Sequence, residues 1–354
     1  MVSPSDVRRI AINTGGGDAP GLNAVIRAVT LAGLDRDWEV LGIRDGYDGL
    51  FSTGGVITLD RDAVRDITHL GGTMLGTTNR GNPFATGRGQ EVADRLRDLQ
   101  VDVMVAVGGD GSLSIAHLLS QLGVPVIGVP KTIDHDLEHT DQTTGFDSAV
   151  SFATECIDRL VSTTTAHGRI MVIEVMGRTT GWIALHSGIA AAANVILVPE
   201  IPYDIDIVAK RVRERAARGQ EYSIIVVAEG ASAVGGETTT VEGSTRLGGV
   251  AATIATQLES LTGKEARSLS LGHLLRGGSP TATDRLLGLR YGAEAVIAIA
   301  AGARNVMVAL DGDEAKLVPL ADIAGRARLV PDDSGALRTA RSIGICLGDR
   351  LATR

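Results

Sequence analysis

The sequence predicts an α/β protein, doubly wound, with mainly parallel sheets. Three observations carry this expectation. Short apolar runs recur at 9–14, 101–107, 125–129, 170–175, 224–228 and 306–310, each closed by a glycine or polar cluster. The runs are continuous rather than alternating, which is the pattern of strands buried on both faces of a parallel sheet. Helical spacing fills the stretches between them: Leu22, Val25, Ile26 and Val29 mark one apolar face, and Val250, Ile254, Leu258 and Leu261 mark another. Strand and helix in alternation imply helices on both sides of the sheet.

A chain of 354 residues suits two domains or one large α/β unit and can bury a substantial core. Aromatic residues make up only 3%, so Val, Ile, Leu and Ala must build that core. Glycine reaches 45 residues without any period, clustering where apolar runs end and backbone must turn sharply or approach a ligand. The net charge of −8 argues against a general nucleic-acid or membrane-surface binder. Cys156 and Cys346 have no metal-ligand spacing and read as reduced thiols of a cytoplasmic protein. Residues 1–9 show no apolar leader, and no window is apolar enough to span a membrane; residues 293–303 read as a buried helix. Residues 231–249 read as a surface excursion, and the tail after Pro331 is polar.

In doubly wound sheets ligands sit beyond the carboxyl ends of the strands. The unusual residues of this sequence fall there. The first strand runs into Gly15-Gly16-Gly17-Asp18-Ala19-Pro20-Gly21 ahead of a helix, so backbone N–H groups can reach a phosphate. The run 101–107 ends in Gly108-Gly109-Asp110-Gly111-Ser112, where Asp110 can hold Mg²⁺ and Ser112 can bond a phosphate or cap the helix. This GGDG pattern also occurs in NAD and lipid kinases. Next comes Pro130-Lys131-Thr132-Ile133-Asp134-His135-Asp136. On extended chain its carboxylates, two residues apart, project the same way, one to take a proton from a hydroxyl and one to orient it. Arg178, in Glu174-Val175-Met176-Gly177-Arg178, can hold a transferring phosphoryl group. His273 and Arg276, in Gly272-His273-Leu274-Leu275-Arg276-Gly277-Gly278, form a cationic pair suited to a phosphate monoester.

Together GGGDAPGLNAVIR, GGTMLGTTNR, GGDGS, PKTIDHD, GFDSA, EVMGR, PE, AEG and GHLLRGGSPTATDR resemble the 6-phosphofructokinase family, from Arg9 to about Val330. The resemblance implies two Rossmann-like domains with the active site in the cleft between them. A donor domain would span 7–146 plus about 277–327, and a sugar-phosphate domain 147–276 plus about 328–350. It implies a glycolytic kinase that moves the terminal phosphoryl of ATP to the 1-hydroxyl of fructose 6-phosphate, with Mg²⁺.

By the same resemblance Gly16, Gly17, Gly109, Asp110, Gly111 and Ser112 meet the donor, and Asp110 holds the metal. Asp134 is the base, with Asp136 beside it. Thr132, Ile133, Met176, Gly177, Arg178 and Glu229 line the acceptor. His273 and Arg276 bind the 6-phosphate, and Arg169 and Arg267 serve a neighbouring subunit of a homodimer or homotetramer with shared sites. Departures are Asn79 with Arg80 next to it, Arg80 being expected to take the donor-phosphate role; His135 where the family usually has Asn; and Val161, which argues against nucleotide-effector control. Gly111 matches the ATP pattern and Lys131 the pyrophosphate pattern. A side-chain carboxylate would veto ATP, and its absence favours ATP. The rival readings are a pyrophosphate-dependent enzyme, a kinase of a related sugar such as sedoheptulose 7-phosphate, and a non-catalytic sugar-phosphate sensor.

Overall fold

A computed structural model describes residues 7–78, 81–240 and 247–349. In chain order the first elements are β1 (Arg9–Thr14), α1 (Leu22–Leu34), β2 (Glu39–Ile43), β3 (Val56–Thr58), α2 (Gly89–Asp98), β4 (Val103–Gly108), α3 (Asp110–Gln121) and β5 (Val126–Pro130). Then come α4 (Phe146–His167), β6 (Ile170–Val175), α5 (Trp182–Ala190), β7 (Val195–Leu197), α6 (Ile205–Ala217), β8 (Ser223–Ala228), α7 (Val250–Thr262) and β9 (Ala266–Ser270). The last are α8 (Ala282–Ala300), β10 (Val306–Asp311), β11 (Glu314–Pro319), α9 (Leu320–Ile323) and α10 (Gly335–Ser342). The chain divides into two compact units, Met1–Ser148 with Arg276–Ala327, and Ala149–Leu275 with Arg328–Arg354.

The first unit holds a seven-stranded sheet in the order β11-β10-β5-β4-β1-β2-β3. Its five central strands are parallel, and β3 and β11 join antiparallel at the edges. The strands are apolar throughout because each face is covered. One core combines Ile10, Ile12, Val103 and Val105 with α1 and α8. The other sets Ala11, Met104 and Ala106 against α2, α3 and α9. The glycine content has a packing use here. A Cβ at Gly288 or Gly292 of α8 would press on the backbone carbonyl of Gly21 or Val25, so bare backbone lets α1 and α8 lie close. Chain order reverses between β1 and β4, which makes the loops after these strands the switch point of the sheet.

The second unit has a four-stranded parallel sheet, β7-β8-β6-β9. Its core sets Ile170, Val172, Val195, Leu197, Ile225 and Val227 against α6 and α7, while α5 packs on β7 and β8. Outcomes differ from expectation at several places. Leu261 is 41% exposed, because α7 is ending there and its face has turned from the sheet. The helix over 293–303 begins earlier, at Ala282, ends at Ala300 and leaves Ile297 exposed. The polar tail contains α10. Among the described residues no helix is long and apolar enough to cross a membrane.

Candidate active site

In the first unit the motif loops are physically interlocked. The backbone N–H of Gly15 donates to Val107 O at 2.9 Å, joining the loop after β1 to the end of β4. Ser112, in the first turn of α3, packs against Gly15 and Gly108, and a Cβ at Gly108 would collide with the Cβ of Ser112. Lys131 N–H donates to Gly108 O at 3.0 Å, which brings in the loop after β5. Residues Gly76, Thr77 and Thr78 close over the first loop: Gly16 N–H donates to Thr78 O at 3.3 Å, Thr77 Oγ1 donates to Gly16 O at 2.5 Å, and Thr14 Oγ1 donates to Gly76 O at 2.7 Å. Asn79 and Arg80 lie outside the described residues.

Lys131 is only 3% exposed. Its ammonium donates to Gly15 O at 3.1 Å and to Gly17 O. Burial, and next the Arg276 guanidinium, lower its pKa from 10.5 to about 8; Asp18, Asp134 and Asp136 pull the other way. Arg276 donates to Asp18 O at 3.1 Å and lies so close to Gly17 that a Cβ there would collide with it. Both cations therefore brace the first glycine loop.

Asp110 opens α3, and one of its oxygens accepts the Gly325 N–H at 2.8 Å. Gly111 stands in open space, with nothing within 4 Å of where a Cβ would be. No group of three or more His, Cys, Asp or Glu side chains gathers as a metal cage among the described residues. A half-buried carboxylate beside phosphate-sized glycine loops fits Mg²⁺, which takes one or two carboxylates and completes its shell with phosphate oxygens and water.

The segment after Lys131 is a turn and not the extended chain the spacing suggested, because His135 has φ +55°. Thr132 organises the turn: its Oγ1 donates to Asp136 Oδ1 at 2.9 Å and accepts the Asp134 N–H at 3.1 Å. Ile133 is buried, so only its backbone is available to a ligand. A second anchor, Asp284, was not singled out in the sequence. Its buried carboxylate accepts from Gly145 N and Ser148 N, both at 2.8 Å, and from Ser148 Oγ at 2.6 Å. Burial raises its pKa, outweighing those hydrogen bonds.

Also unforeseen is a cavity lined by Tyr47, Asp48, Phe51, Gly81, Pro83, Thr86, Arg88 and Val92. Arg88 lies over the Phe51 ring at 3.9 Å. Gly81 is packed on the side chain of Thr78, whose carbonyl holds Gly16, so the cavity adjoins the glycine loop. Two aromatics close together in a chain this poor in them were a signal.

In the second unit the loops after β6 and β8 are tied: Glu229 N–H donates to Val175 O at 2.9 Å and Gly230 N–H to Gly177 O at 3.0 Å. Met176 is buried, Arg178 exposed and Glu229 intermediate. Glu174 is structural, accepting from Ser270 Oγ at 3.0 Å and Ala251 N at 3.1 Å. Arg169 and Arg267 both pair with Glu265, at 3.4 and 2.6 Å. His273 is exposed on the short turn Gly272–Arg276.

Comparison with known proteins bears on this arrangement. The family model described as Phosphofructokinase matches residues 9–299. A protein of Chloroflexus aggregans named ATP-dependent 6-phosphofructokinase is 49% identical over 357 residues, covering 98% of this chain and 99% of that one. One of Amycolatopsis methanolica named pyrophosphate–fructose 6-phosphate 1-phosphotransferase is 47% identical over 333 residues, covering 92% and 97%. Among solved structures, phosphofructokinase from Saccharomyces cerevisiae superposes with a TM-score of 0.80 at 28% identity. The match covers 96% of this chain but 46% of that one, so the present chain spans less than half of it.

Proposed function

The chain belongs to the phosphofructokinase family, and from that premise we propose that it transfers the terminal phosphoryl group of ATP to the 1-hydroxyl of fructose 6-phosphate. The observation that carries this reading is the interlocked set of loops at the switch point of the seven-stranded sheet. Phosphoryl transfer asks little covalent chemistry of a protein; positioning and electrostatic stabilisation do most of the work.

The donor phosphates would lie along Gly16, Gly17, Gly109, Gly111 and Ser112, where glycine backbone allows close approach and the start of α3 favours anions. Asp110 would hold Mg²⁺, which supplies charge neutralisation to the phosphates when bound. Asp134 takes the proton from the attacking hydroxyl as it becomes nucleophilic, and Asp136, held by Thr132, adds to the negative field that favours this transfer. Lys131 supplies positive charge at the loop that cradles the phosphates. Thr132, Ile133, Met176, Gly177, Arg178, Glu229, His273 and Arg276 are proposed as acceptor contacts, Arg178 also stabilising the moving group, and Arg80 as a donor contact. Arg169 and Arg267 are proposed to serve a neighbouring copy in a homo-oligomer. Mixing Arg267→Ala with Asp134→Asn protomers then restores activity, and no restoration refutes sharing. We place the reaction in the cytoplasm, where free thiols such as Cys156 and Cys346 persist.

ATP is preferred as donor for two reasons. Gly111 presents no side chain, and the cavity of Tyr47, Phe51 and Arg88 offers aromatic surface that a nucleotide base can use and pyrophosphate cannot. Pyrophosphate is the second reading, favoured by Lys131 and by the name of the Amycolatopsis relative. Initial rates with fructose 6-phosphate and Mg²⁺, run with ATP and with pyrophosphate, decide between them. Activity with ATP alone is expected; activity with pyrophosphate alone overturns the donor, and activity with neither overturns the function. Asp134→Asn should lower kcat by about 10²–10⁴-fold with little change in KM, as for a lost general base.

A further inference from the structure

The turn that carries both carboxylates is built around a residue in an unusual conformation. His135 has φ +55°, in the left-handed region that costs an L-residue with a side chain, and it is 7% exposed. Such a residue persists where its surroundings over-determine it. Here they do. The imidazole stacks on Phe146 with ring centroids 4.5 Å apart and planes at 17°. Its Nδ1 lies 3.4 Å from Thr143 Oγ1. That hydroxyl has a single proton, and it is donated to Thr132 O at 2.9 Å. Nδ1 must therefore carry the ring proton and be the donor.

These contacts lead straight to the reacting groups. Thr132, reached through Thr143, binds Asp136 with its hydroxyl and receives the Asp134 N–H on the same oxygen. Phe146 in turn follows Gly145, whose N–H is held by the buried Asp284. The path runs from α8 through Asp284 to the backbone on either side of Phe146, and from the Phe146 ring through His135 to the two carboxylates. A left-handed residue between Asp134 and Asp136 redirects the backbone there, so this one φ sets how the carboxylates diverge.

We propose that His135 is a positioning residue for the Asp134–Asp136 pair, its ring seated on Phe146 and tied to Thr143 so that the left-handed turn is held. The proposal rests on the reading of Asp134 as the base. The histidine touches no reacting atom in it; it acts through the backbone it holds.

The test is steady-state kinetics with fructose 6-phosphate, ATP and Mg²⁺ on His135→Ala, His135→Asn, Phe146→Leu and the double variant His135→Ala/Phe146→Leu, with Asp134→Asn in parallel. Removing the ring should lower kcat by about 10–100-fold, the scale of a misplaced reacting group, with KM for either substrate changed by less than about twofold. Phe146→Leu should lose a similar factor. The double variant should be no worse than the worse single by more than about threefold, because the two substitutions break one contact. His135→Asn should recover most of the loss, since Asn tolerates the left-handed region. A kcat for His135→Ala within about twofold of wild type, a loss carried by KM, additive losses in the double variant, or Asn no better than Ala each overturns the proposal. Where His135→Ala fails to fold, Phe146→Leu and His135→Asn decide by the same criteria. Low activity of Asp134→Asn with an unaffected His135→Ala overturns the positioning role alone. A near-wild-type Asp134→Asn overturns the assignment of the base itself.

Discussion

Lys131 carries a charge that the fold resists. The fall of its pKa from 10.5 to about 8 costs the charged form about 3 kcal/mol in the folded chain, at about 1.4 kcal/mol for each pH unit. At pH 7 both folded and unfolded chains hold the proton, so the cost is felt in full. Between pH 8 and 10.5 the folded chain has released the proton while the unfolded chain keeps it. Stability therefore rises with pH across that window. Lys131→Met keeps the length of the side chain and removes the charge, so it removes this dependence. The assay is the free energy of urea unfolding of both proteins at pH 7 and pH 10, without ligand. Relative to Lys131→Met, wild type should gain about 2–3 kcal/mol over that interval, other titrating groups cancelling in the difference. Parallel profiles, with the difference constant to about 0.5 kcal/mol, would refute the argument that a buried ammonium is held against its solvation. On the function proposed above, an arriving polyphosphate would meet this charge in a site of low dielectric, where its attraction is strong.

Three further outcomes follow from named contacts. Gly111→Asp adds a side chain with nothing within 4 Å and an acid in the first turn of α3, where the helix dipole suits it, so the fold should be unaffected. A carboxylate about 4 Å from a donor phosphate repels it by about 4 kcal/mol at an effective dielectric near 20. The value of kcat/KM for ATP should therefore fall by about 10³-fold, and unchanged ATP kinetics refutes the steric and charge argument. Asp284→Ala leaves the buried N–H groups of Gly145 and Ser148 without an acceptor and should cost about 2–5 kcal/mol in urea unfolding; a loss under about 1 kcal/mol removes the anchor role. Gly17→Ala drives its methyl into the Arg276 guanidinium. The flexible arginine yields, so unfolding should change by less than about 1 kcal/mol, while the KM for donor rises several-fold; an unchanged KM shows that the bracing of this loop is dispensable.

The sequence by itself determined the fold class and the family. Continuous apolar runs can be buried only between two layers of helix, which is why the strands at Arg9–Thr14 and Ile170–Val175 were legible to the residue. Glycine and acid clusters at the ends of such runs marked the loops that interlock at the switch point of the seven-stranded sheet. Four edge strands escaped notice: β3 and β7 are only three residues long, β11 mixes charged and apolar residues, and β9 is exposed over most of its length, so none offers a long apolar run. What only the tertiary structure decided lies in contacts between residues far apart in sequence. Lys131 is a loop brace because Gly15 and Gly17, more than a hundred residues earlier, turn their carbonyls to it. Asp284 is an anchor because the start of α4 brings it buried donors. The spacing of Asp134 and Asp136 suggested an extended pair, whereas Phe146 and Thr143 hold His135 in a left-handed turn between them. Local propensity favours the extended form at a residue with a side chain, and only packing supplied from elsewhere in the chain can outweigh it.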